Sequence, residues 1–196
     1  MSHPLRDHIE TVSKLSDSEF DYILSHFVVK KFKKHAPLIR EGEIAKYEYF
    51  VLKGCLRSYK TDIVKDKEFT YNFAAENWWI SDQEAFLERS TSTITIDCLE
   101  ECELLGITLE DQEKLGANLW KYEHYLSVKA TLGNVALQKR LHLMIMGTPK
   151  ERYENFVHQY PYLLSRVPKY FIASSLGVSR ETISRLYRSN VRNVTN

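Results

Sequence analysis

The stretch VPKYFIASSLGVSRETISRLYR, residues 167–188, decides the fold of this chain. Pro168 suits a first helical turn, because the N–H that proline lacks has no helical partner there. Gly177 suits a left-handed turn, and Ser179 offers a side-chain oxygen that can cap a second helix. The stretch therefore predicts two short helices joined by a tight turn.

Each of these two helices is expected to have an apolar face and a polar face. Helical spacing turns the apolar side chains inward, namely Ile172, Ala173, Leu176, Ile183, Leu186 and Tyr187. The side chains left facing outward on the second helix are Arg180, Glu181, Ser184, Arg185 and Arg188. Arginine makes bidentate hydrogen bonds to guanine, and glutamate accepts from the cytosine amino group. The pattern predicts a helix-turn-helix that reads DNA; a surface helical hairpin with solvated arginines is the alternative.

The composition is that of an ordinary globular protein. Of the 196 residues 43% are hydrophobic, and no apolar run approaches the roughly 20 residues that a membrane-spanning helix needs. The N-terminal sequence MSHPLRDHIE lacks the apolar core of a signal peptide, so we expect a cytoplasmic protein without a membrane partner. The odd number of cysteines (Cys55, Cys98 and Cys102) argues against a disulfide framework and favours core or half-buried thiols, with a redox or metal role as the alternative.

A near-neutral total charge of +1 hides a strong asymmetry along the chain. From Trp120 onward there are 12 Lys and Arg but only 4 Asp and Glu, a net charge of +8, which leaves −7 for the residues before it. Neutralising phosphates supplies most of the non-specific affinity of a protein for nucleic acid. The basic C-terminal part therefore favours DNA as a partner, and the acidic N-terminal part needs another role.

Short β-type runs follow two N-terminal helices. The helices are expected at residues 5–14 and 18–27, the second capped by Ser16 or Asp17. Between Val28 and Ile107 the strand-like runs recur at the spacing of a sandwich or barrel. These runs are VVKKF, PLIREGE, YEYFVLKG, CLRSYKT, KEFTYNFA, TITIDCLE and CELLGIT.

Helices are expected again after the strands. Thr108 should cap a helix that Gly116 interrupts, and one apolar stripe predicts a long helix over residues 119–146. That helix would be roughly 42 Å long, more than a small barrel can cover, so we expect it to pack against its twin in a C2 dimer rather than on its own barrel alone. Gly147 marks a hinge, Thr148 should cap the next helix, and Pro149 opens it.

The predicted fold class is α+β, in three parts. Residues 1–118 form an effector domain with a jelly-roll-like β-barrel, residues 119–146 a long connecting and dimerisation helix, and residues 147–196 a helix-turn-helix domain. This layout resembles the Crp/Fnr family of bacterial transcription regulators over nearly the full length of the chain. The phrase SRETISR, Ser179 to Arg185, is similar to the SRETVxR that cyclic-AMP-binding members use to read DNA.

The resemblance implies roles for particular residues and implies partners. Arg180 and Arg185 would read guanines and Glu181 a cytosine. The full set of residues expected at the DNA is Lys169, Ser179, Arg180, Glu181, Ser184, Arg185 and Arg188. Double-stranded DNA, a second copy of the chain, a small-molecule effector and RNA polymerase are the implied partners. The phrase VPKYFIASSLGVSRETISR looks most like the regulators of Bacteroidetes-type bacteria.

The effector domain departs from the nucleotide-binding pattern of the family. Binders carry a phosphate cassette resembling FGE(L/I)AL, followed by R(S/T)A. Here the stretch WWISDQEAFLERSTSTITID has Ser81 for the glycine, Asp82 for the glutamate and Ser92 for the arginine. Losing that arginine removes the fork that a phosphodiester anion needs, and Arg89 is the only nearby cation in that stretch. Cyclic AMP is therefore not the expected effector.

A different small-molecule pocket in the barrel is a further hypothesis, beside simple core packing of its aromatic side chains. The candidate residues are Tyr59, Trp78, Asp82, Glu84, Arg89 and Ser92. No cysteine precedes Cys55 to hold an iron–sulfur cluster, His124 is more plausibly a surface residue than a haem ligand, and no HxH pair is present for a cupin-type metal. We expect no cofactor, no metal and no enzymatic activity. The alternatives are a cyclic-nucleotide or other small-molecule signalling module without direct gene regulation and a cupin-like enzyme.

The end of the sequence differs from many members of the family. These continue into a β-hairpin wing that contacts the DNA backbone. Only SNVRNVTN follows Arg188 here, too short for a two-stranded wing with its turn. We expect Lys169, Arg188 and Arg192 to carry more of the phosphate contact, in a helix-turn-helix domain that lacks a full wing.

Overall fold

A computed structural model describes residues 3–64 and 67–194. Side chains are described for residues 3–64 and 67–188. The helices are α1 (Pro4–Ile9), α2 (Asp17–Leu24), α3 (Gln83–Glu88), α4 (Leu109–Asn118), α5 (Trp120–Met146), α6 (Pro149–Gln159), α7 (Leu163–Arg166), α8 (Lys169–Ser175) and α9 (Arg180–Val194). The strands are β1 (Val28–Phe32), β2 (Pro37–Ile39), β3 (Glu48–Lys53), β4 (Leu56–Asp62), β5 (Lys67–Ala74), β6 (Trp79–Ile80), β7 (Thr95–Cys98) and β8 (Cys102–Ile107).

The chain divides into two compact units. The first contains the residues up to Lys60 together with Asn72–Leu132. The second contains Thr61–Tyr71, which is the turn between β4 and β5 with the adjoining strand ends, together with the residues from Gly133 onward. The division falls inside α5, and each unit is described below by itself.

Two antiparallel sheets form most of the first unit. Their strand orders are β1-β8-β3-β6 and β2-β7-β4-β5, the arrangement of a jelly roll. Buried side chains from both sheets, such as Tyr49, Val51, Leu56, Ile96 and Leu104, share one core. The predicted N-terminal β-sheet domain is therefore confirmed, and every predicted strand run overlaps one of these strands. The two-residue strand β6 was not predicted.

The N-terminal helices begin where side-chain caps allow it. The Ser16 hydroxyl accepts a hydrogen bond from the Glu19 N–H at 3.2 Å, and the Glu19 carboxylate accepts from the Ser16 N–H at 2.7 Å. This reciprocal capping box starts α2 at the predicted place. Both N-terminal helices contribute to a second core, which also contains Phe50 of β3 and Tyr122 of α5.

The three cysteines belong to the interior of this unit. Cys55, Cys98 and Cys102 are all buried as thiols, and the last two lie in the core between the sheets. The Cys102 Sγ lies 3.7 Å from the carbonyl oxygen of Cys55. The prediction of core or half-buried thiols is confirmed, and all three thiols are fully buried.

Several local predictions were wrong. Helix α1 ends at Ile9 and α2 at Leu24, short of the predicted residues 14 and 27, and Pro168 precedes α8 instead of lying in its first turn.

Gly116 was expected to interrupt the helix after the strands, but α4 runs through it to Asn118. A single glycine costs a helix only about 1 kcal/mol relative to alanine. The Thr108 hydroxyl caps the helix by accepting from the Asp111 N–H at 3.1 Å, and buried Leu115 anchors it. The stabilisation from the Thr108 cap and from the burial of Leu115 together exceeds the cost of placing a glycine in the helix.

A buried carboxylate ties the sheets to the helices that follow them. The Glu48 side chain at the start of β3 is 2% exposed, and it pairs with the Lys129 Nζ of α5 at 2.8 Å. The same carboxylate accepts from the Gln83 amide of α3 at 2.6 Å and from the Gln112 amide of α4 at 2.9 Å. Three helices therefore meet at one acidic group, which we call the Glu48 hub.

An aromatic chain flanks the Glu48 hub. The Lys129 Nζ lies 4.0 Å from the centre of the Trp79 ring. The Trp79 indole N–H donates to the Tyr125 hydroxyl at 2.7 Å, and that hydroxyl lies 2.9 Å from the His8 Nδ1. Burial is the main cause that lowers the pKa of His8 below its ordinary value of 6.5. The first half of α5 is thus fixed to the sheet and to α1.

In the second unit, the described residues from Gly133 onward form helices and the turns between them. Its part of α5 carries exposed apolar side chains, namely Val135, Leu137, Leu141, Ile145 and Met146. Helix α6 starts at Pro149, as predicted, and a capping box between Thr148 and Glu151 precedes it. A side chain at Gly147 would put its Cβ 2.5 Å from the carbonyl oxygen of Leu143, so this position requires glycine. No helix in the described part of the chain is long and apolar enough to span a bilayer.

The Glu48 hub leads to a stability prediction. Replacing Lys129 by Met should lower the free energy of unfolding by about 3–5 kcal/mol, because it leaves a buried carboxylate without its cation. Urea denaturation of the whole chain at a fixed protein concentration measures this change.

Lys150→Met is the matched control for this prediction. Lys150 and Glu154 form a 3.7 Å pair whose side chains are 70% and 52% exposed. Such a surface pair contributes about 0–1 kcal/mol. Equal effects of the two substitutions would show that the Glu48 hub does not stabilise the fold.

Candidate functional site

The helix pair α8 and α9 is joined by the turn that the sequence predicts. Ile172, Ala173 and Leu176 are buried on the inner face of the first helix and its last turn. Gly177 has φ +64°, in the left-handed region that favours glycine. The N–H of Val178 donates to the carbonyl of Ala173 at 3.0 Å. This hydrogen bond across the turn closes the end of α8.

A serine starts the second helix of the pair. The Ser179 hydroxyl accepts from the Thr182 N–H at 3.2 Å, and α9 begins at the next residue, Arg180. Hydrogen bonds from its own backbone N–H and from Ser179, together with the nearby Arg180 and Arg185, hold the pKa of Glu181 below its ordinary value. Glu181 is therefore ionised and acts only as a hydrogen-bond acceptor.

The predicted reading residues come together on the outer face of α9. Arg180, Glu181, Arg185 and Arg188 are exposed, and Ser184 is half-buried. Ile183 is buried beneath them, which fixes the rotation of the helix. The start of α9 can therefore present two arginines and one carboxylate to a ligand.

Lys169 lies beside this face and not on it. It is the first residue of α8, and its Nζ lies 3.6 Å from the centre of the Tyr187 ring of α9. A cation over an aromatic face gains about 0.5–1 kcal/mol at an exposed site. Lys169 thus adds positive charge close to the end of the predicted reading surface. The side chain of Arg192, the other predicted phosphate contact, lies outside the described residues.

Sequence reasoning missed the arginines that hold the turn. The Arg140 Nη2 of α5 donates to the carbonyl of Ser175 at 3.2 Å, and the Arg152 Nη1 of α6 donates to that of Leu176 at 3.1 Å. Cations are favourable at a helix C-terminus, where carbonyl groups lack partners. These arginines are far from the turn in sequence, so no local signal could have found them.

The positions of the nucleotide cassette meet in the first unit, but they bond to one another. The Asp82 carboxylate accepts from the Ser92 hydroxyl at 2.9 Å and from the Thr93 N–H at 2.9 Å. It also caps α3 by accepting from the Ala85 N–H at 3.3 Å. Burial alone would raise the pKa of Asp82, but these hydrogen bonds outweigh it and lower the pKa. An ionised carboxylate and its own donors therefore fill this corner.

The other residues suggested for an effector pocket lie in different surroundings. The Tyr59 ring stacks on Arg57, whose guanidinium carbon lies 3.9 Å from the ring centre. Trp78 packs against the core between the sheets, and Glu84 is exposed. Arg89 ends α3 and pairs with Glu113 of α4 at 3.2 Å on the surface. Asp82 and Ser92 are thus the two candidates that the structure joins directly.

Comparisons with known proteins agree with this architecture. Residues 29–118 match the cyclic nucleotide-binding domain family. The chain has the Crp/Fnr fold. The catabolite activator protein of Thermus thermophilus is 21% identical with a TM-score of 0.57, over 97% of this chain and 88% of that one. The resemblance in fold to the Crp/Fnr regulators is therefore confirmed.

Two further Crp/Fnr-fold structures are similar over most of their length. FixK2 from Bradyrhizobium japonicum is 17% identical with a TM-score of 0.73, over 85% of both chains. The c-di-GMP-responsive regulator CLP of Xanthomonas campestris is 16% identical with a TM-score of 0.68, over 91% of this chain and 93% of that one. Comparison with curated protein sequences gives no match. At these identities the likeness establishes the fold.

The closed cassette of this Crp/Fnr fold gives a pH-dependent prediction. Asp82→Asn keeps the shape but removes the charge, and should lower the free energy of unfolding by about 1–2 kcal/mol at pH 7, because hydrogen bonds to a charged acceptor are the stronger ones. A lowered pKa in the folded state stabilises the fold above the ordinary value of 3.8 and loses that effect as the pH falls through the folded pKa. The difference between the two proteins should therefore shrink in acid.

The measurement is urea denaturation of both proteins from pH 7 down to pH 3. Glu84→Gln is the matched control, because Glu84 is an exposed carboxylate in the first turn of the same helix. We expect this control to change the free energy of unfolding by less than about 0.5 kcal/mol. A difference between wild type and Asp82→Asn that does not depend on pH would contradict the assignment of charge to Asp82.

Proposed function

We propose that the chain is a transcription regulator that binds specific sequences of double-stranded DNA as a homodimer. The observation that carries the proposal is the outer face at the start of α9, where Arg180, Glu181 and Arg185 are exposed beside a buried Ile183. Such a face can enter a major groove and hydrogen-bond to guanine and cytosine edges. Exposed arginines beside a carboxylate that accepts hydrogen bonds are better suited to contacting bases than to a purely structural role.

Charge supports DNA as the ligand. The residues from Trp120 onward carry a net charge of +8. Arg188 lies further along the exposed face of α9, and Lys169 adds a cation next to it. These two side chains are suited to phosphate contacts, which position a protein without reading sequence. We therefore assign base reading to the start of α9 and contacts with the DNA backbone to the cations around it.

Exposed apolar side chains on α5 support the homodimer. Leu137, Leu141 and Ile145 recur every four residues and are 64%, 57% and 69% exposed. Contiguous apolar surface on a helix indicates a protein contact, and a second copy of the same helix would cover it. A two-fold axis along this surface would place two reading helices on successive major grooves, with half-site centres about 34 Å apart.

The barrel is proposed as an effector module that does not take cyclic AMP. Ser92 stands where cyclic-nucleotide binders have an arginine, and its hydroxyl already donates a hydrogen bond to the Asp82 carboxylate at 2.9 Å. A phosphodiester anion would meet an ionised carboxylate there without a compensating arginine. An effector of another chemical class would act by shifting the placement of the two reading helices. Contact with RNA polymerase is a further proposal, made from the family alone.

In vitro selection of bound duplexes from a random DNA pool tests the proposed function. The expected outcome is a palindromic consensus with G·C pairs at fixed positions in each half-site. The main alternative is a small-molecule signalling module without direct gene regulation, which the match to a cyclic nucleotide-binding domain favours. Failure to enrich any sequence, together with calorimetric binding of cyclic AMP, would support that alternative.

Substitutions in the reading face give the second part of the test. Arg180→Ala and Arg185→Ala should each weaken binding to the selected site by about 1–3 kcal/mol and relax the preference at one base pair. Titrations monitored by fluorescence anisotropy, with single-base variants of the site, measure both effects. Lys139→Ala is the control, because it removes one exposed positive charge from α5 and not from α9. Equal weakening on all sequences would instead indicate phosphate contacts.

The dimer is tested separately. Leu137→Glu should shift the protein to monomers, because it places a charge in the proposed apolar contact. Sedimentation equilibrium measures the change in association, which we expect to be at least about 100-fold for an unpaired charge at a contact core. Leu87→Glu is the matched control, since Leu87 of α3 is 60% exposed against 64% for Leu137. A wild-type protein that is already monomeric would refute the proposed homodimer.

A further inference from the structure

The segment between β4 and β5 belongs to the second compact unit, although its strands belong to the sheet of the first. Residues Thr61–Tyr71 group with Gly133 and the residues that follow it. β5 is the last strand in the order β2-β7-β4-β5, so among the described residues no further strand pairs with its outer edge. An edge of this kind needs another partner for its N–H and C=O groups.

Ser174 of α8 supplies that partner. Its hydroxyl donates to the carbonyl of Glu68 at 3.0 Å and accepts from the N–H of Thr70 at 3.0 Å. Residues 68 and 70 are two apart on a strand, so their outward backbone groups face the same way. One hydroxyl thus uses both a donor and an acceptor function on the strand edge. We call these two hydrogen bonds the Ser174 clasp.

The Ser174 clasp lies next to two other side-chain hydrogen bonds at the C-terminal end of α8. Arg140 of α5 binds the carbonyl of Ser175, and Arg152 of α6 binds that of Leu176. Three consecutive residues are therefore fixed by three separate elements. The left-handed turn at Gly177 follows directly, and α9 begins at Arg180. A displacement of Ser174 would accordingly move the start of α9, because only the short turn between Ser175 and Arg180 separates the two helices.

We propose that Ser174 is a positioning residue, which connects the β4–β5 hairpin to the reading helix and lets the effector sheet set the placement of α9. This inference rests on the proposed function. It adds a route of regulation that does not pass along α5, because β4 and β5 continue directly into the sheet. Without the Ser174 clasp, the end of α8 loses one of the three side-chain contacts described above, and α9 occupies a wider range of placements. Apparent affinity falls when only a fraction of those placements fits the DNA.

The first arm of the test needs no DNA. Amide hydrogen exchange of Thr70 is measured by NMR in the whole protein. Ser174→Ala should speed this exchange by roughly 2- to 10-fold, the factor that corresponds to one net hydrogen bond. Ser174→Thr keeps a hydroxyl and should restore the slow exchange. Ser165→Ala is the control, because the Ser165 hydroxyl bonds only locally, to the carbonyl of Tyr162 at 3.2 Å. Unchanged exchange in Ser174→Ala would overturn the proposal.

The second arm uses the duplex obtained by selection, together with versions whose half-site spacing is changed by one base pair. Ser174→Ala should weaken binding to the natural spacing by about 2- to 10-fold and reduce the discrimination against altered spacings, because its reading helices are less firmly placed. Ser174→Thr should restore both properties. Equal weakening at all spacings would mean that Ser174 contacts DNA directly, and wild-type affinity would mean that the clasp has no positioning role. Either result would overturn the proposal.

The two arms separate the possible failures. If selection enriches no DNA, the proposed function fails, and the proposal for Ser174 fails with it even when Thr70 exchange responds to Ser174→Ala. If DNA is selected but Thr70 exchange does not respond, the proposed function stands and only the proposal for Ser174 fails.

Discussion

The buried carboxylate of Glu48 is the interaction on which the first compact unit depends. A charge at 2% exposure is tolerated only if its hydrogen-bonding capacity is filled, and here a lysine and two amides fill it. Those donors come from α3, α4 and α5. The requirement to satisfy one acidic group therefore fixes the cassette helix and the start of the long helix against the same strand, and the hydrophobic core packs around this arrangement.

The second unit is organised by the same physical rule with the charges reversed. Arg140 and Arg152 bring guanidinium groups to the carbonyls that end α8. Burial lowers the pKa of Arg140, yet an arginine keeps its proton in proteins, so these hydrogen bonds stay charge-assisted. The turn before α9 is thereby held by side chains of neighbouring helices as well as by its own backbone. The DNA-reading surface that we propose on α9 would need this stiffness, because base contacts are lost with small displacements.

Local chemistry in the sequence predicted the elements well, and long-range contacts could not be predicted. Ser16, Thr108, Thr148 and Ser179 each cap a helix where expected, and Gly177 adopts the left-handed conformation, because each of these effects acts within a few residues. The error at Gly116 arose because a weak local preference was overruled by a cap and by burial. The Glu48 hub and the Ser174 contacts join residues far apart in the chain, where no periodicity carries a signal. The sequence placed Asp82 and Ser92 among the candidates for one pocket, but their direct hydrogen bond follows only from the three-dimensional arrangement.

The burial of all three thiols has a practical consequence for spectroscopy. Cys55, Cys98 and Cys102 are 0%, 0% and 3% exposed, so bulky maleimide dyes and spin labels have no access to them in the folded protein. A single cysteine introduced on an exposed helix face would then be the one reactive site, without prior removal of the natural cysteines. Distances between labelled copies could be measured in the otherwise unaltered chain. The burial of all three thiols thus leaves the natural cysteines unreactive while an introduced cysteine is labelled.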